Sequence, residues 1–133
     1  MKDASEYLAH VKALVIAAPY IVHWKVVREE AQGDIGLFRY QLTLADGGML
    51  EMFERFQIEN ENLIVTKYSF HWQDANGSLR KRWDNARHHP EIVTQPHHVH
   101  EGRENNVAPH NPVSAEEILE IIRQSAFSEN LPE

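Results

Sequence analysis

The chain has 133 residues, 20 acidic against 13 basic side chains for a net charge of −7, and no cysteine. A chain this long has room for one core, burying roughly two-thirds of the surface exposed when unfolded, so a single domain is expected. The missing cysteines exclude disulfides, Cys-ligated metal centres and a cysteine nucleophile, and the acidity excludes a general nucleic-acid coat, which needs a basic surface.

Met1-Lys2 gives a positive start and Val11 to Ala18 is mostly apolar, but Glu6, His10 and Lys12 interrupt the run. No stretch approaches the ~20 apolar residues of a membrane span. The expectation is a cytoplasmic protein that neither enters nor crosses a membrane.

The spacing predicts a first helix capped by Asp3, with Glu6 completing a capping-box pattern. Tyr7, Leu8, Val11, Leu14, Val15 and Ala18 share one helical face, and Pro19 ends the helix. The period then becomes two. Tyr20, Val22, Trp24 and Val26 alternate with Ile21, His23, Lys25 and Val27. After a turn at Gly33-Asp34, Phe38, Tyr40, Leu42 and Leu44 alternate with Leu37, Arg39, Gln41 and Thr43, as a half-buried strand does.

Asp46-Gly47-Gly48 signals a hairpin, followed by a strand over Met49–Ile58, a polar turn over Glu59–Asn62, and a strand over Leu63–Gln73. A four-residue turn, Asp74 to Gly77, would set Gln73 opposite Ser78. That register places Trp72 against Leu79 and Tyr68 against Trp83 on one side. His71 then meets Arg80, Ser69 meets Arg82 and Lys67 meets Asp84 on the other. A one-residue slip would mix the two sides.

From Arg87 to Pro112 there are four prolines, six histidines and little periodicity, a connector long enough to be functional or disordered, with short extended pieces within it. Ser114, Glu117 and the pair Val113 and Ile118 give a capping box and a hydrophobic staple. They start a last helix with Ile118, Ile121, Ile122 and Ser125 or Ala126 on its buried stripe. The expected fold is α+β: an antiparallel meander of about five strands with an N-terminal and a C-terminal helix. Residues 1–86 form the helix and sheet, 87–112 the histidine-rich loop and 113–127 the last helix.

Seven of the nine histidines lie between His71 and His110, and imidazole serves as general acid, general base or metal ligand near neutral pH. In an extended segment His98 and His100 would share one side. The charge is also uneven: Lys67, Arg80, Lys81, Arg82 and Arg87 stand against only Asp74 and Asp84 between Lys67 and Pro90. Lys67, Arg80, Arg82 and Arg87 are therefore candidate phosphate contacts.

Cleavage of an RNA phosphodiester needs a base, an acid and cations around the charge developing on phosphorus. His71, His88, His97, His98 and His100, with Asp84, have the right chemical types. A transition-metal site from His98, His100 and His88 or His89 is an alternative, although neither cysteine nor an H-E-x-x-H helix fixes a ligand geometry. Ser69 with His71 is too thin a basis for a hydrolase triad. The bland alternative is a noncatalytic module whose polar strand face is solvated and whose histidine loop docks a protein. The aromatics Trp24, Phe38, Tyr40, Phe53, Phe56, Tyr68, Phe70, Trp72 and Trp83 are expected in the core, and His10 and His23 in structural roles.

Three blocks carry a family resemblance: Tyr68 to Asp74, Arg82-Trp83-Asp84-Asn85-Ala86 with His88-His89-Pro90-Glu91, and Pro96-His97-His98-Val99-His100. Together they resemble the TumE-like toxins of toxin–antitoxin pairs over most of the chain, with Arg87 where the pattern suggests proline. The resemblance implies a growth-inhibiting toxin neutralised by a cognate antitoxin, and it carries over no catalytic mechanism. The positions matching its blocks are Trp83, Asp84, His88, Pro90, His97, His98 and His100. A helix followed by an antiparallel meander is also similar, at the level of fold alone, to RelE and barnase-like ribonuclease toxins. RNA is accordingly the expected target, and pairing of exposed edge strands would make a homodimer.

Overall fold

A carboxylate at the cap, a proline at the stop and an apolar stripe between them make the first helix, α1, Ala4–Ala17, in the computed structural model. Residues 1–85, 97–103, 107–109 and 113–127 are described in this structure. The Asp3 carboxylate accepts from the Glu6 backbone N–H at 2.9 Å, satisfying one of the orphan amides that every helix start exposes. Tyr7, Leu8, Val11 and Val15 are buried, as the spacing predicts, together with Ala4.

Seven strands follow: β1 Ile21–Gln32, β2 Ile35–Leu44, β3 Met49–Glu59, β4 Asn62–Gln73, β5 Leu79–Asp84, β6 His98–Glu101 and β7 Val107–Pro109. They pair strictly in chain order as an antiparallel meander. The histidine-rich connector is therefore not all loop. His98–Glu101 adds to the sheet because Val99 fits under Trp83, and Val107–Pro109 pairs outside it.

Helix α2, Ala115–Ala126, closes the described chain, with the Ser114–Glu117 capping box fully formed. Its buried stripe is Ala115, Ile118, Leu119 and Ile122; of the other expected positions Ile121 is partly buried and Ser125 and Ala126 are exposed, and the Leu119 carbonyl accepts the Tyr20 hydroxyl at 2.7 Å. Both helices pack on one sheet face, over Phe38, Tyr40, Leu42, Leu50, Met52, Phe56, Tyr68, Phe70, Trp72 and Trp83. Among the described residues no helix is long and apolar enough to cross a membrane.

The β4–β5 register corrects the expected one. Asp74 N–H bonds the Ser78 carbonyl at 2.9 Å, so Gln73 pairs with Leu79, one residue further on. A second shift between Trp72 and Gln73 leaves Arg80 as an extra residue and sets Trp72 opposite Lys81, Phe70 opposite Trp83, His71 opposite Arg82 and Ser69 opposite Asp84. Two slips in one direction restore the original sidedness, because strand alternation has a period of two. The bulged Arg80 lays its guanidinium 4.0 Å over the Trp72 ring on the helix side, away from His71.

Gly36 shows how closely α1 and the sheet approach. A β-carbon there would meet the Phe56 ring at 2.7 Å, the Glu30 carbonyl at 3.0 Å and Ala4 Cβ at 3.1 Å. Gly36→Ala is expected to destabilise the protein by about 1–3 kcal/mol, read as a lower urea midpoint with unchanged slope.

Candidate functional site

The face of the sheet without helices is organised in rows, because each register pair fixes which side chains neighbour one another across strands. One row reads Lys25, Gln41, Glu51, His71, Arg82 and His100. The next reads Arg28, Arg39, Phe53, Ser69 and Asp84, and a third Glu30, Leu37, Arg55 and Lys67. Strands lie about 4.8 Å apart, so His71 and His100 stand on strands either side of Arg82.

Arg82 is held from two directions. Its Nε donates to Asp84 Oδ2 at 3.2 Å and its Nη2 to His100 Nε2 at 3.2 Å. A guanidinium has only donors, so His100 Nε2 is the accepting atom in this contact. The 3.6 Å between His100 Nε2 and Asp84 Oδ2 is too long for a hydrogen bond. Asp84 and His100 are buried, whereas Arg82 and His71 are partly exposed. The arrangement presents a fixed cation beside an accessible imidazole, backed by a buried carboxylate and a second imidazole.

The expected histidine set divides across the sheet. His98 and His100 are the β6 register partners of Asp84 and Arg82, and the His100 ring reaches Arg82 on the helix-free face. His97 belongs to the other face: its Nδ1 lies 2.9 Å from the Tyr68 hydroxyl and its ring stacks on Tyr68 at 5.7 Å. Burial, reinforced by the nearby Asp84 charge, pushes the Tyr68 phenol above its ordinary range. Of the expected phosphate contacts, Arg82 is in the cluster. Lys67 is exposed on the same face but pairs with Arg55 rather than Asp84, and Arg80 is on the helix side. His88, His89, Arg87 and His110 lie outside the described residues.

Two residues of consequence were not singled out from sequence. Asn85, one position after Asp84, accepts from the Tyr68 N–H at 3.0 Å and donates to the Thr66 carbonyl at 3.2 Å. It thereby clamps the backbone on both sides of Lys67, and its place within the Trp83-Asp84-Asn85-Ala86 block was the available signal. Glu54 is fully buried under the helices, accepting from the Tyr7 hydroxyl at 2.5 Å and from the Ala115 N–H at 3.0 Å. Its signal was a lone carboxylate in the inward alternation Leu50, Met52, Glu54.

The aromatics are buried as expected, with Trp24 partly so. Phe53, however, sits outside the main core on the helix-free face, under the Arg39 guanidinium at 4.6 Å. His10 joins the helices through Glu116 at 3.2 Å, while His23 is exposed on β1. Among the described residues no group of three or more His, Asp or Glu side chains could hold a metal ion.

A family model described as Toxin TumE matches residues 11–126, which takes in every strand, the second half of α1 and all of α2. No curated protein and no solved structure matches the chain.

Proposed function

Because the chain belongs to the Toxin TumE family, we propose that it is a toxin that acts on RNA through the His71–Arg82 cluster and is held in check by an antitoxin. The carrying observation is the cross-strand pairing of an accessible His71 with an Arg82 anchored by Asp84 and His100.

In the proposed reaction Arg82 takes up charge on the phosphate oxygens, where a preorganised donor acts most strongly. His71 accepts the proton of the 2′-hydroxyl as its oxygen bonds to phosphorus. The bond from phosphorus to O5′ breaks, and a second imidazole returns a proton to O5′. His98, whose backbone pairs with Asp84 on β5, is the candidate for that second role. The products are a 2′,3′-cyclic phosphate and a 5′-hydroxyl. His100, buried and bonded to Arg82, is a positioning residue.

Expression in a bacterial host tests the reading. The parent chain is expected to arrest growth, His71→Ala and Arg82→Ala to relieve the arrest, and Lys2→Ala, at the exposed chain start, to leave it intact. Equal toxicity of all four proteins at equal soluble levels would refute the proposed site.

A further inference from the structure

We infer that Arg55 and Lys67 form a second phosphate-binding subsite on the helix-free face, so that the substrate is a single-stranded RNA long enough to reach from the His71–Arg82 cluster to this pair. The inference rests on the RNA reading above and extends it to the length and path of the substrate.

The charge on this face differs from that of the chain as a whole. Although the protein carries a net −7, strand register sets Lys25, Arg28, Arg39, Arg55, Lys67 and Arg82 here against Glu30, Glu51, Glu59 and Asp84. The acids are largely taken. Glu30 pairs with Arg28 at 2.7 Å, Glu51 with Arg39 at 2.9 Å and Asp84 with Arg82 at 3.2 Å, while Glu59, at the hairpin tip, accepts from Gln57. Arg55 and Lys67 make no ion pair among the described residues, and both are exposed.

Arg55 and Lys67 are also direct cross-strand partners. Like charges placed directly opposite one another destabilise a sheet, so the pair lowers stability unless an anion lies between the two groups. The local backbone is built to present it. A register shift lies between Arg55 and Phe56, and Asn85 ties down Thr66 and Tyr68 around Lys67. Beside Arg55 opens a groove of about 330 Å³ lined by Glu30, Ala31, Gln32, Ile35, Gly36 and Leu37, whose apolar members give a base a surface to rest on. Lys67 stands four residues from His71 on β4, about 13 Å along the strand. A dinucleotide engages the cluster alone, and a longer strand engages both.

Fluorescence anisotropy with a labelled 12-residue single-stranded RNA and a labelled dinucleotide, across a salt series, tests this. The Arg55→Ala/Lys67→Ala double variant is expected to bind the 12-mer at least tenfold more weakly at low salt. Its log K against log salt slope is expected to be shallower by about 1.4, the value for two phosphates on a single strand. Dinucleotide binding is expected to be unchanged. Lys67→Glu, which replaces a repulsion by an attraction, is expected to raise Tm while weakening the 12-mer, a combination that misfolding cannot produce. If the double variant binds the 12-mer as the parent does while Arg82→Ala abolishes cleavage, the subsite is wrong and the proposed function stands. If the parent binds neither RNA, the proposed function falls and the inference with it. Loss of binding to the antitoxin, with RNA binding intact, would also overturn it by making the pair a protein contact.

Discussion

Glu54→Gln is expected to abolish a loss of about 3 kcal/mol in folding stability that the parent protein suffers as pH rises from 4.5 to 7. Burial pushes the Glu54 carboxyl from 4.5 to about 7, against the lowering effect of its hydrogen bonds from Tyr7 and the Ala115 backbone. Because the folded value is the higher one, the protonated carboxyl favours the folded state. Its contribution is complete below pH 4.5, where both states hold the proton. It falls as the unfolded chain ionises first, and is gone above pH 7. The difference between the two values corresponds to about 3 kcal/mol.

A glutamine in this position keeps both contacts, its carbonyl accepting from the Ala115 N–H and its amide donating to the Tyr7 hydroxyl oxygen. Urea denaturation at intervals from pH 4.5 to 8 is expected to give a flatter stability profile for Glu54→Gln, with the variant the more stable protein at pH 8. Glu54→Ala, which orphans two buried donors, is expected to lose about 3 kcal/mol at pH 5. Parallel profiles for the parent and the glutamine variant would show that Glu54 does not titrate in this way. The residue matters beyond stability because it ties α1, β3 and the start of α2 together beneath the candidate site.

The second large effect concerns Arg82. Removing one preorganised donor to a developing oxyanion costs about 10²–10³ in rate, and Arg82→Ala is expected to lose RNA cleavage by that factor with thermal unfolding still cooperative. Arg82→Lys is not expected to restore it. A lysine ammonium is a single point at the end of a flexible stem, whereas the planar Arg82 guanidinium donates from Nε to Asp84 and from Nη2 to His100 in one fixed orientation. Recovery of more than a tenth of the parent rate by Arg82→Lys would mean that charge alone suffices and that the anchoring is incidental.

Much of the fold is legible in the sequence where the signal is local. The Asp3 and Ser114 caps, the turns at Asp46-Gly47-Gly48 and Asp74 to Gly77, and the alternation of Phe38, Tyr40, Leu42 and Leu44 each depend on neighbours in the chain. What escaped depends on partners far away. The β4–β5 register was displaced because Asp74, not Gln73, closes the turn with Ser78 and because Arg80 gains a place over Trp72 by bulging. β6 forms from a stretch without periodicity because β5 offers it an edge, and a four-residue strand is too short to show a pattern of its own.

The candidate site was half legible for the same reason. The residue types His71, Arg82, Asp84 and His100 could be chosen from charge and histidine clustering, together with the family blocks. That His71 meets Arg82 instead of Arg80, that His97 turns to Tyr68, and that Arg39 and Arg55 share the face with Lys67 are consequences of pairing across the sheet. No local pattern reports them.

The most direct measurement is the chemistry of the RNA ends. Purified protein incubated with end-labelled single-stranded RNA in the presence of EDTA is predicted to leave fragments with 2′,3′-cyclic phosphate and 5′-hydroxyl ends, and the His71→Ala and Arg82→Ala proteins to leave the RNA intact. RNA untouched by the parent protein, or cut only with added metal to give 5′-phosphate ends, would contradict an imidazole and guanidinium mechanism on this face of the sheet.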